Sequence, residues 1–319
     1  ASKYALTQPT LRGDITAKDL RVAHATVTIK VYDGTSDANV TGAALDFSNP
    51  GQGTSTDGRA YTGDTVSLAN ASTGQFADKN VGNGKTVTTT ITLTGSDAGN
   101  YTLLNQPTLT GTITAKDLQV FGAAVTTKVY DGSDSAGVTG AVLVGNSSSD
   151  TDGKYIGTET VTLSGGTSGT FADKNVGTGK SVGTTMTLGG ADAGNYTLLN
   201  QPTLTGTITA KALTISTATP STVTSKVYNG GTGATVVVGS LDGVVSGETL
   251  GTTTAVGTFA DKNIGTKNVT AVYTLVDGAN PLHLASNYTL ASETLTGTIT
   301  AKDLQVFGAA VTTKVYDGS

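Results

Sequence analysis

The chain has 319 residues and a formal net charge of −5, and only 13% of its residues are charged. This is about half the charged share of an ordinary globular protein, and it excludes an electrostatic surface for nucleic acid or an anionic membrane. Cysteine and tryptophan are absent and histidine occurs twice, which excludes disulfide scaffolds, cysteine nucleophiles and thiolate metal sites. No apolar run approaches the roughly 20 residues of a membrane-spanning helix. The chain opens without a basic and apolar leader, so we expect any secretion signal to lie outside it.

Three short motifs recur along the chain. Lys-Val-Tyr-Asp-Gly begins at Lys30, Lys128 and Lys314, and it recurs at Lys226 with Asn229 in place of the aspartate. Phe-Ala-Asp-Lys-Asn begins at Phe76, Phe171 and Phe259, and the 19-residue run 98–116 returns without change as 193–211. If each Thr-Ala-Lys closes a unit, the chain contains the end of a preceding repeat (1–18), repeat 1 (19–116), repeat 2 (117–211), repeat 3 (212–302) and the start of a following repeat (303–319).

Near-identity between the repeats indicates recent duplication, and we expect the natural chain to be longer. No linker rich in Gly, Ser or Pro separates the repeats, which favours a stiff rod over independent beads. The first and last pieces each contain a predicted strand, Tyr4–Thr16 and Leu304–Tyr316, whose backbone groups need partners. We therefore expect these end strands to add to sheet edges of neighbouring molecules, or to continue a longer fibre.

Within repeat 2, alternating apolar residues and β-branched residues predict about seven short strands. They are Leu118–Phe121, Val125–Tyr130, Val138–Val144, Thr160–Leu163, Ser181–Leu188, Asn195–Leu199 and Leu204–Thr209. Turn signals such as Asp131-Gly132, Gly165-Gly166 and Gly177–Gly179 separate them. This spacing is typical of an antiparallel β-sandwich.

The run Asp97–Leu103, repeated as Asp192–Leu198, resembles the tyrosine corner of immunoglobulin-like domains, in which a tyrosine hydroxyl bonds backbone upstream. The corner tyrosines are Tyr101, Tyr196 and Tyr288, although an insertion precedes the third. Three aromatics per repeat recur in phase, and we expect them to anchor one small core in each repeat. The predicted fold is therefore all-β, with tandem immunoglobulin-like antiparallel β-sandwich repeats in an elongated rod; β-grasp-like repeats are the alternative.

These motifs together resemble the YDG/MBG-type repeat domains of large bacterial exoproteins, many of which are filamentous-haemagglutinin-like adhesins. Gly-Thr-Ile-Thr-Ala-Lys completes the set, and the resemblance covers the whole chain. It implies secretion from a Gram-negative cell, an extracellular or cell-surface location, and a role in a stalk, fibre or biofilm matrix. The family motif defines no active-site residues.

Some adhesin domains close an isopeptide bond between a buried lysine and an asparagine beside an acid. Candidate lysines are Lys30, Lys128 and Lys226; candidate asparagines are Asn100, Asn195 and Asn287; candidate acids are Asp78, Asp173 and Asp261. The same lysines also fit an ordinary strand in which polar residues alternate with an inward valine. The sequence leaves both interpretations open.

Two further motifs have simpler interpretations. The run 150–153, Asp-Thr-Asp-Gly, resembles the opening of a calcium loop, but repeat 1 has one carboxylate fewer there, and a turn is the better interpretation. Arg12-Gly13-Asp14 spells an integrin-binding tripeptide but aligns with a predicted final strand in the other repeats. We expect no bound cofactor, and calcium at junctions between repeats is left open.

No recurring combination of nucleophile, base and orienting group is found, so we expect no catalytic activity. The first functional hypothesis is a structural stalk or fibre body whose partners are neighbouring repeats or further copies of the chain. The alternative is an adhesive module that recognises glycans or a host protein through the loops Ser48–Arg59 and Asn146–Lys154. In that case Tyr61 and Tyr155 would be the aromatic platforms for a sugar.

Overall fold

The computed structural model describes residues 3–50 and 54–318, and nearly all of its regular structure is β-strand. Repeat 1 contains β1 (Lys18–Leu20), β2 (Thr26–Val27), β3 (Lys30–Val31), β4 (Asp37–Thr41), β5 (Phe47–Ser48), β6 (Ala60–Tyr61), β7 (Ser67–Ala69), β8 (Thr73–Phe76), β9 (Gly82–Thr88), β10 (Thr92–Thr94), β11 (Tyr101–Leu103) and β12 (Leu109–Thr114). Repeat 2 contains β13 (Lys116–Leu118), β14 (Ala124–Val125), β15 (Lys128–Val129), β16 (Ser135–Thr139), β17 (Thr162–Ser164), β18 (Ser168–Phe171), β19 (Gly177–Gly183), β20 (Thr187–Gly189), β21 (Tyr196–Leu198) and β22 (Leu204–Thr209).

Repeat 3 contains β23 (Lys211–Ile215), β24 (Thr222–Val223), β25 (Lys226–Val227), β26 (Gly233–Ala234), β27 (Val236–Val237), β28 (Leu241–Asp242), β29 (Thr254–Phe259), β30 (Gly265–Thr274), β31 (Tyr288–Leu290) and β32 (Glu293–Thr300). A single 3-10 turn precedes the corner tyrosine of each repeat: Ala98–Asn100, Ala193–Asn195 and Ala285–Asn287. The predicted all-β class is confirmed.

The chain forms two compact units, and repeat 2 contributes to both. The first unit consists of Ala1–Ala123, Gly140–Gly166 and Thr185–Pro202; the second consists of Ala124–Thr139, Thr167–Thr184 and Thr203–Ser319. The first unit therefore combines repeat 1 with the middle and the corner of repeat 2. The second unit combines the remaining strands of repeat 2 with repeat 3.

One six-stranded sheet dominates the first unit, in the order β2-β4-β8-β9-β12-β3. Repeat 2 forms the same sheet within the second unit, in the order β14-β16-β18-β19-β22-β15. Alternate side chains of β4 are buried, as expected for a sheet with one face on a core. The five-stranded sheet of repeat 3 has the order β25-β32-β30-β29-β26.

The sheets are mixed rather than purely antiparallel, which corrects that part of the expectation. β12 is antiparallel to β9 but parallel to β3, and β22 and β15 pair in the same parallel way. The short strand that opens each repeat is also parallel to the strand of the corner tyrosine, as in β1 with β11 and β13 with β21. Parallel pairing is feasible here because most of a repeat separates the paired strands along the chain.

The core of the first unit crosses the boundary between two repeats. From repeat 1, buried Tyr32, Phe76 and Ile113 line the inner face of the sheet. Repeat 2 supplies buried Leu118 and Tyr196 to the same cluster, and partly buried residues pack beside them: Leu143, Tyr155, Ile156, Val161 and Leu188. The sheet of one repeat is thus covered by side chains of the next repeat.

The aromatics of a single repeat are shared between two cores, so the expected single core per repeat is wrong. Tyr32 and Phe76 belong to the cluster just described, whereas Tyr101 of the same repeat belongs to a second cluster with Leu20 and Val66. The reason is geometric, because the corner tyrosine and the sheet aromatics occupy different sheets of the repeat.

A glycine in the final strand of each repeat allows the Phe of the second motif to pack closely against the backbone of that strand. A Cβ on Gly206 would lie 2.5 Å from Val125 Cγ1 and 2.9 Å from Phe171 Cε1. Gly111 and Gly297 face the equivalent Val and Phe at similar distances. The repeated Leu-Thr-Gly-Thr-Ile-Thr run is therefore a packing requirement as well as a strand signal.

Several predicted strands of repeat 2 differ from the observed ones. Predicted Ser181–Leu188 is two strands, β19 and β20, and the predicted turn Gly177–Gly179 is the beginning of β19. Here β19 changes register against β22 between Gly177 and Lys180, because Gly179 has a φ of +65° that other residues rarely adopt. β18 is missed because its glycine weakens the apolar alternation.

The two end strands are not formed within this chain. Among the described residues, neither 3–17 nor 301–318 belongs to a strand, and every side chain in both segments is exposed. The prediction of strands at Tyr4–Thr16 and Leu304–Tyr316 is therefore wrong within this chain, whereas their addition to neighbouring molecules or to a longer fibre stays a prediction. Their equivalents in the interior, such as β12, form strands because their own repeat supplies both neighbours.

Replacing Gly206 with alanine should lower the free energy of unfolding by about 1–3 kcal/mol, because the new methyl group overlaps Val125 and Phe171. Urea unfolding followed by circular dichroism measures this loss. Gly194→Ala is the matched control, since a Cβ at Gly194 meets open space. Equal stability of the two variants would contradict the packing role of Gly206.

Candidate functional site

A buried carboxylate joins repeat 1 to repeat 2 within the first unit. Glu159 of repeat 2 is 3% exposed, and its Oε1 accepts hydrogen bonds from the Tyr32 hydroxyl and from Lys79 Nζ, the latter at 2.5 Å. Its Oε2 accepts a hydrogen bond from the Tyr196 hydroxyl at 2.5 Å. We call this set of four residues, Tyr32, Lys79, Glu159 and Tyr196, the junction clamp.

Tyr32 is positioned by the first motif. It follows β3 directly, and its N–H donates to Thr114 O at 2.9 Å, which continues the parallel pairing with β12. Asp33 accepts from the Thr35 N–H at 2.8 Å and pairs with Lys30 Nζ at 2.8 Å, so the turn after Tyr32 is closed by its own side chains. Gly34 has a φ of +81°, and a Cβ there would contact Ile156 of repeat 2 at 3.5 Å.

Glu159 is positioned by a tight turn in repeat 2. Its N–H donates to Ile156 O at 2.9 Å, and the Ile156 N–H donates to the Tyr196 hydroxyl at 3.0 Å. The Tyr196 hydroxyl therefore accepts from the start of the turn and donates to the carboxylate at its end. One tyrosine thus fixes both the turn and the acid that the turn carries.

Asn195 makes a second connection between the two repeats, beside the clamp. Its Oδ1 accepts from the Val81 N–H at 3.0 Å, and its Nδ2 donates to Asn80 Oδ1 at 3.2 Å. Asp78 shapes this loop of repeat 1 by accepting from the Asn80 N–H at 2.8 Å and by pairing with Lys85 at 2.7 Å. The asparagine side chain thus binds the backbone of the preceding repeat.

The electrostatics of the clamp favour an ionised acid between neutral tyrosines. Burial opposes ionisation of Glu159, but the hydrogen bonds from Lys79 and the two tyrosines outweigh it and hold the pKa of its carboxyl below the usual value. Burial and the neighbouring carboxylate raise the pKa of Tyr32 to about 12 and raise the pKa of Tyr196 as well. The hydrogen bond to Glu159 raises the pKa of Lys79.

The second unit repeats this arrangement between repeats 2 and 3. Glu248 is 5% exposed and accepts from the Tyr130 hydroxyl at 2.6 Å, Lys174 Nζ at 2.5 Å and the Tyr288 hydroxyl at 2.7 Å. The Val176 N–H donates to Asn287 Oδ1 at 2.9 Å. The two tyrosine rings meet edge to face with centroids 5.4 Å apart in both clamps. The same contacts thus recur at both junctions.

The clamp holds two repeats together. The Glu159 carboxylate has three donors, and both tyrosine hydroxyls donate to it. Within the described residues no group of three or more metal-ligating side chains is found. What the geometry supports is a buried polar lock surrounded by apolar packing.

The predicted corner tyrosines are all central, but their bonds differ from an immunoglobulin corner. The hydroxyls of Tyr101 and Tyr196 accept from backbone N–H groups 40 residues upstream, and that of Tyr288 accepts from the Val245 N–H. An immunoglobulin corner bonds only a few residues upstream. The additional hydrogen bond from each hydroxyl to an acid was not expected from the sequence.

The lysine, asparagine and aspartate candidates for an isopeptide bond each contact other groups in the structure. Lys30, Lys128 and Lys226 each donate to carbonyl oxygens five and seven residues further on in their own turn. Asn195 and Asn287 bond the loop of the preceding repeat, and Asn100 is exposed. The candidate acids Asp78, Asp173 and Asp261 pair with other lysines: Lys85, Lys180 and Lys267. The structure does not bring the three groups of an isopeptide site together.

The other candidate sites also have specific contacts. Asp152 of the predicted calcium-like run accepts from the Ser148 and Lys154 N–H groups and pairs at 3.2 Å with Lys116, which is 1% exposed. Its carboxylate therefore neutralises a buried lysine. Tyr61 and Tyr155, the suggested sugar platforms, are half-buried against the apolar clusters. Arg12-Gly13-Asp14 is exposed and lies outside any strand, so its predicted strand position is wrong.

Sequence reasoning missed the acid of the clamp. Glu159 and Glu248 each precede a threonine and an apolar residue, and Asp64 does the same in repeat 1. In all three repeats the acid follows by three residues the N–H that binds the corner tyrosine. An acid followed by a threonine and an apolar residue, with a glycine one or two residues before the acid, recurs once per repeat and is the signal that could have identified it.

Replacing Glu159 with glutamine should lower the free energy of unfolding of the first unit by about 2–3 kcal/mol, since Lys79 and two tyrosine hydroxyls lose their charged acceptor. Chemical denaturation of the full chain measures the change. Asp150→Asn removes an exposed carboxylate of the same repeat and should be neutral within about 0.5 kcal/mol. A Glu159→Gln chain as stable as this control would contradict the clamp.

Alkaline pH should weaken the clamp through Tyr32. Because the folded pKa of Tyr32 is about 12 and the ordinary value is 10.0, its contribution is complete below pH 10 and is lost as pH rises to 12. The loss should be about 2–3 kcal/mol. Unfolding free energies, measured across this range, should show a step that is about 2–3 kcal/mol larger in the native chain than in Tyr32→Phe, because the other tyrosines with raised pKa values, such as Tyr196 and Tyr130, contribute equally in both chains. Tyr4→Phe, which removes a hydroxyl from a side chain that is 97% exposed, should keep the step.

No helix in the described residues is long and apolar enough to cross a membrane. No curated protein matches the chain significantly. The YDG domain matches three consecutive segments, residues 16–110, 114–205 and 209–295, and together these cover most of the sequence. Each matched segment contains the tyrosine, lysine and asparagine motifs from which the junctions are built. The chain therefore belongs to the YDG domain family, as three tandem repeats.

Proposed function

We propose that this chain is a structural repeat region, the stalk or fibre body of a large secreted bacterial surface adhesin or extracellular filament, and that it has no catalytic activity. The observation that supports this proposal most strongly is that the repeated side chains contact the neighbouring repeat. Every aromatic or charged residue of the junction clamp connects one repeat to the next, and the same contacts occur at both junctions. Because the most regular feature of this region is the contact between successive repeats, we infer that its role is to extend an array of repeats.

Secretion and a cell-surface location rest on the family resemblance and on composition. The absence of cysteine fits a protein exported unfolded, since a disulfide formed early would hinder passage. Stability must then come from packing and buried polar contacts. The clamp supplies such contacts without disulfide bonds.

The adhesive alternative requires exposed aromatic side chains near the divergent loops. Tyr61 is half-buried, and its ring lies 4.2 Å from Lys18 Nζ. Tyr155 packs against the core that repeats 1 and 2 share. These contacts cover the ring faces on which a sugar would stack, so they favour the structural role.

A stalk formed of coupled repeats should lose stability when a repeat is isolated. In a fragment of residues 19–116, the sheet of repeat 1 lacks Leu118, Tyr196 and the Glu159 carboxylate. We expect it to melt at least about 10 °C below a fragment of residues 19–302. Differential scanning calorimetry of both fragments tests the coupling, and equal melting temperatures would contradict it.

A binding measurement tests the adhesive alternative. Glycan-array and host-protein binding by the full chain, compared with a Tyr61→Ala and Tyr155→Ala double variant, tests for a recognition surface. Specific binding that the double variant abolishes would overturn the structural proposal in favour of an adhesive module.

A further inference from the structure

Strands from the two ends of each repeat lie beside each other, and these pairs are parallel. β3 pairs with β12, β15 with β22 and β25 with β32. β1 pairs with β11, β13 with β21 and β23 with β31. We propose that these pairs make each repeat an element that resists tension along the chain. This role rests on the stalk function proposed above and gives that stalk a mechanical task.

The parallel direction decides how a pull on the chain acts on the paired strands. In repeat 2 the chain enters through β13 and leaves through β22, its final strand. A pull towards the N-terminus draws β13 backwards, while a pull towards the C-terminus draws β21 and β22 forwards. Because paired strands point the same way, the two pulls slide them past each other and stress all hydrogen bonds of a pair together. In an antiparallel pair, both pulls would act at one end and break the bonds one after another.

The threonine of the Thr-Ala-Lys motif holds the final strand of each repeat to an early strand. Thr114 O accepts from the Tyr32 N–H at 2.9 Å, and Thr114 Oγ1 donates to Lys30 O at 3.3 Å. Thr209 makes the same two contacts within repeat 2, at 2.8 and 3.3 Å, and Thr300 makes them within repeat 3, at 2.8 and 3.4 Å. The motif therefore supplies a cross-strand contact where the chain leaves each repeat.

The lysine of the same motif anchors the first strand of the following repeat. Lys116 opens β13 and is 1% exposed, and its Nζ pairs with Asp152 at 3.2 Å. An equivalent ion pair, at 2.8 Å, holds Lys18 at the start of β1. Thr197 Oγ1 of β21 also donates to Asp117 Oδ1 of β13 at 2.6 Å. Sliding β13 along β21 therefore requires a buried ammonium group to leave its carboxylate.

The two anchored strands belong to one continuous segment of chain. Only Ala115 separates β12 from β13, and only Ala210 separates β22 from β23. Within the first unit, the segment 109–118 pairs with β3 through its first half and with β21 through its second half. Tension that leaves one repeat therefore reaches the first strand of the next repeat without an intervening flexible linker.

Resistance of this kind depends on the direction of the pull, whereas the free energy of unfolding does not. Changing only the points at which force is applied therefore separates the two. Val129 and Thr209 lie opposite each other in the pair of β15 with β22, and both are exposed. A force between these two residues pulls the strands apart across their axis. The chain contains no cysteine, so two introduced thiols define the attachment points uniquely.

Single-molecule force spectroscopy at one loading rate compares the two directions. Pulling the full chain from its ends stresses the pairs along their axes, whereas pulling between Val129→Cys and Thr209→Cys separates one pair across its axis. We expect the force across the axis to be at least about twofold below the lowest rupture force in end-to-end pulling, because the bonds then break in sequence. The reduced double variant should keep the urea midpoint of the native chain, which controls for stability.

A backbone variant tests the pair of β13 with β21. The Leu199 N–H donates to Leu118 O at 3.2 Å at the end of this pair, and the Leu199 side chain is 51% exposed. Leu199→Pro removes the donor and should lower the lowest rupture force in end-to-end pulling. Leu199→Ala keeps the donor and should leave that force unchanged.

Rupture forces that are equal in the two directions, or higher across the axis, would overturn the proposal. Equal forces for Leu199→Pro and Leu199→Ala in end-to-end pulling would also overturn it. Neither result affects the melting difference between 19–116 and 19–302, which tests the stalk function separately. Repeats that are coupled in calorimetry but yield equally in both directions would keep the stalk function and lose the mechanical role.

Discussion

The central constraint of this molecule is a carboxylate that is buried between two repeats and needs partners from both. Glu159 is 3% exposed, and an ionised carboxylate without partners would cost several kcal/mol at such a position. Its own repeat supplies one tyrosine hydroxyl, whereas the preceding repeat supplies the other hydroxyl and the ammonium group. Neither repeat can satisfy this group alone, so the stability of each repeat is tied to its neighbour.

The composition of the chain explains why tyrosine has this role. The sequence has no tryptophan and six phenylalanines, so eleven tyrosines supply most of the large aromatic surface. A tyrosine ring can fill a core while its hydroxyl satisfies a polar group at the edge of that core. At the junction both functions are combined: the rings of Tyr32 and Tyr196 pack edge to face, and their hydroxyls meet at one carboxylate. Burial of apolar surface and fixation of repeat orientation thus depend on the same residues.

The sequence predicted the repeats, the all-β class and the importance of the three motifs, because these depend on local periodicity and on in-phase recurrence. It could not predict which motif contacts which, since Tyr32 and Glu159 lie 127 residues apart and in different repeats. The glycines misled the strand assignment around Gly177, where a positive φ at Gly179 makes a bulge inside a strand and not a turn. The acid was missed because its identity varies, being Asp64 in one repeat and a glutamate in the others, and because its separation from the corner tyrosine is 37 residues in two repeats and 40 in the third.

The residues that receive the next repeat vary less than the acid that reaches them. The groups of the receiving sheet are the same in every repeat: Tyr32, Tyr130 and Tyr228, then Lys79, Lys174 and Lys262, then Asn80, Asn175 and Asn263. At both described junctions the arriving acid is a glutamate, Glu159 or Glu248, and it meets the same tyrosine and lysine of the receiving repeat. Repeats that carry these groups can therefore follow one another without rebuilding the interface. Duplication of a whole repeat, of the kind that the identical runs 98–116 and 193–211 record, therefore lengthens the array while preserving every junction.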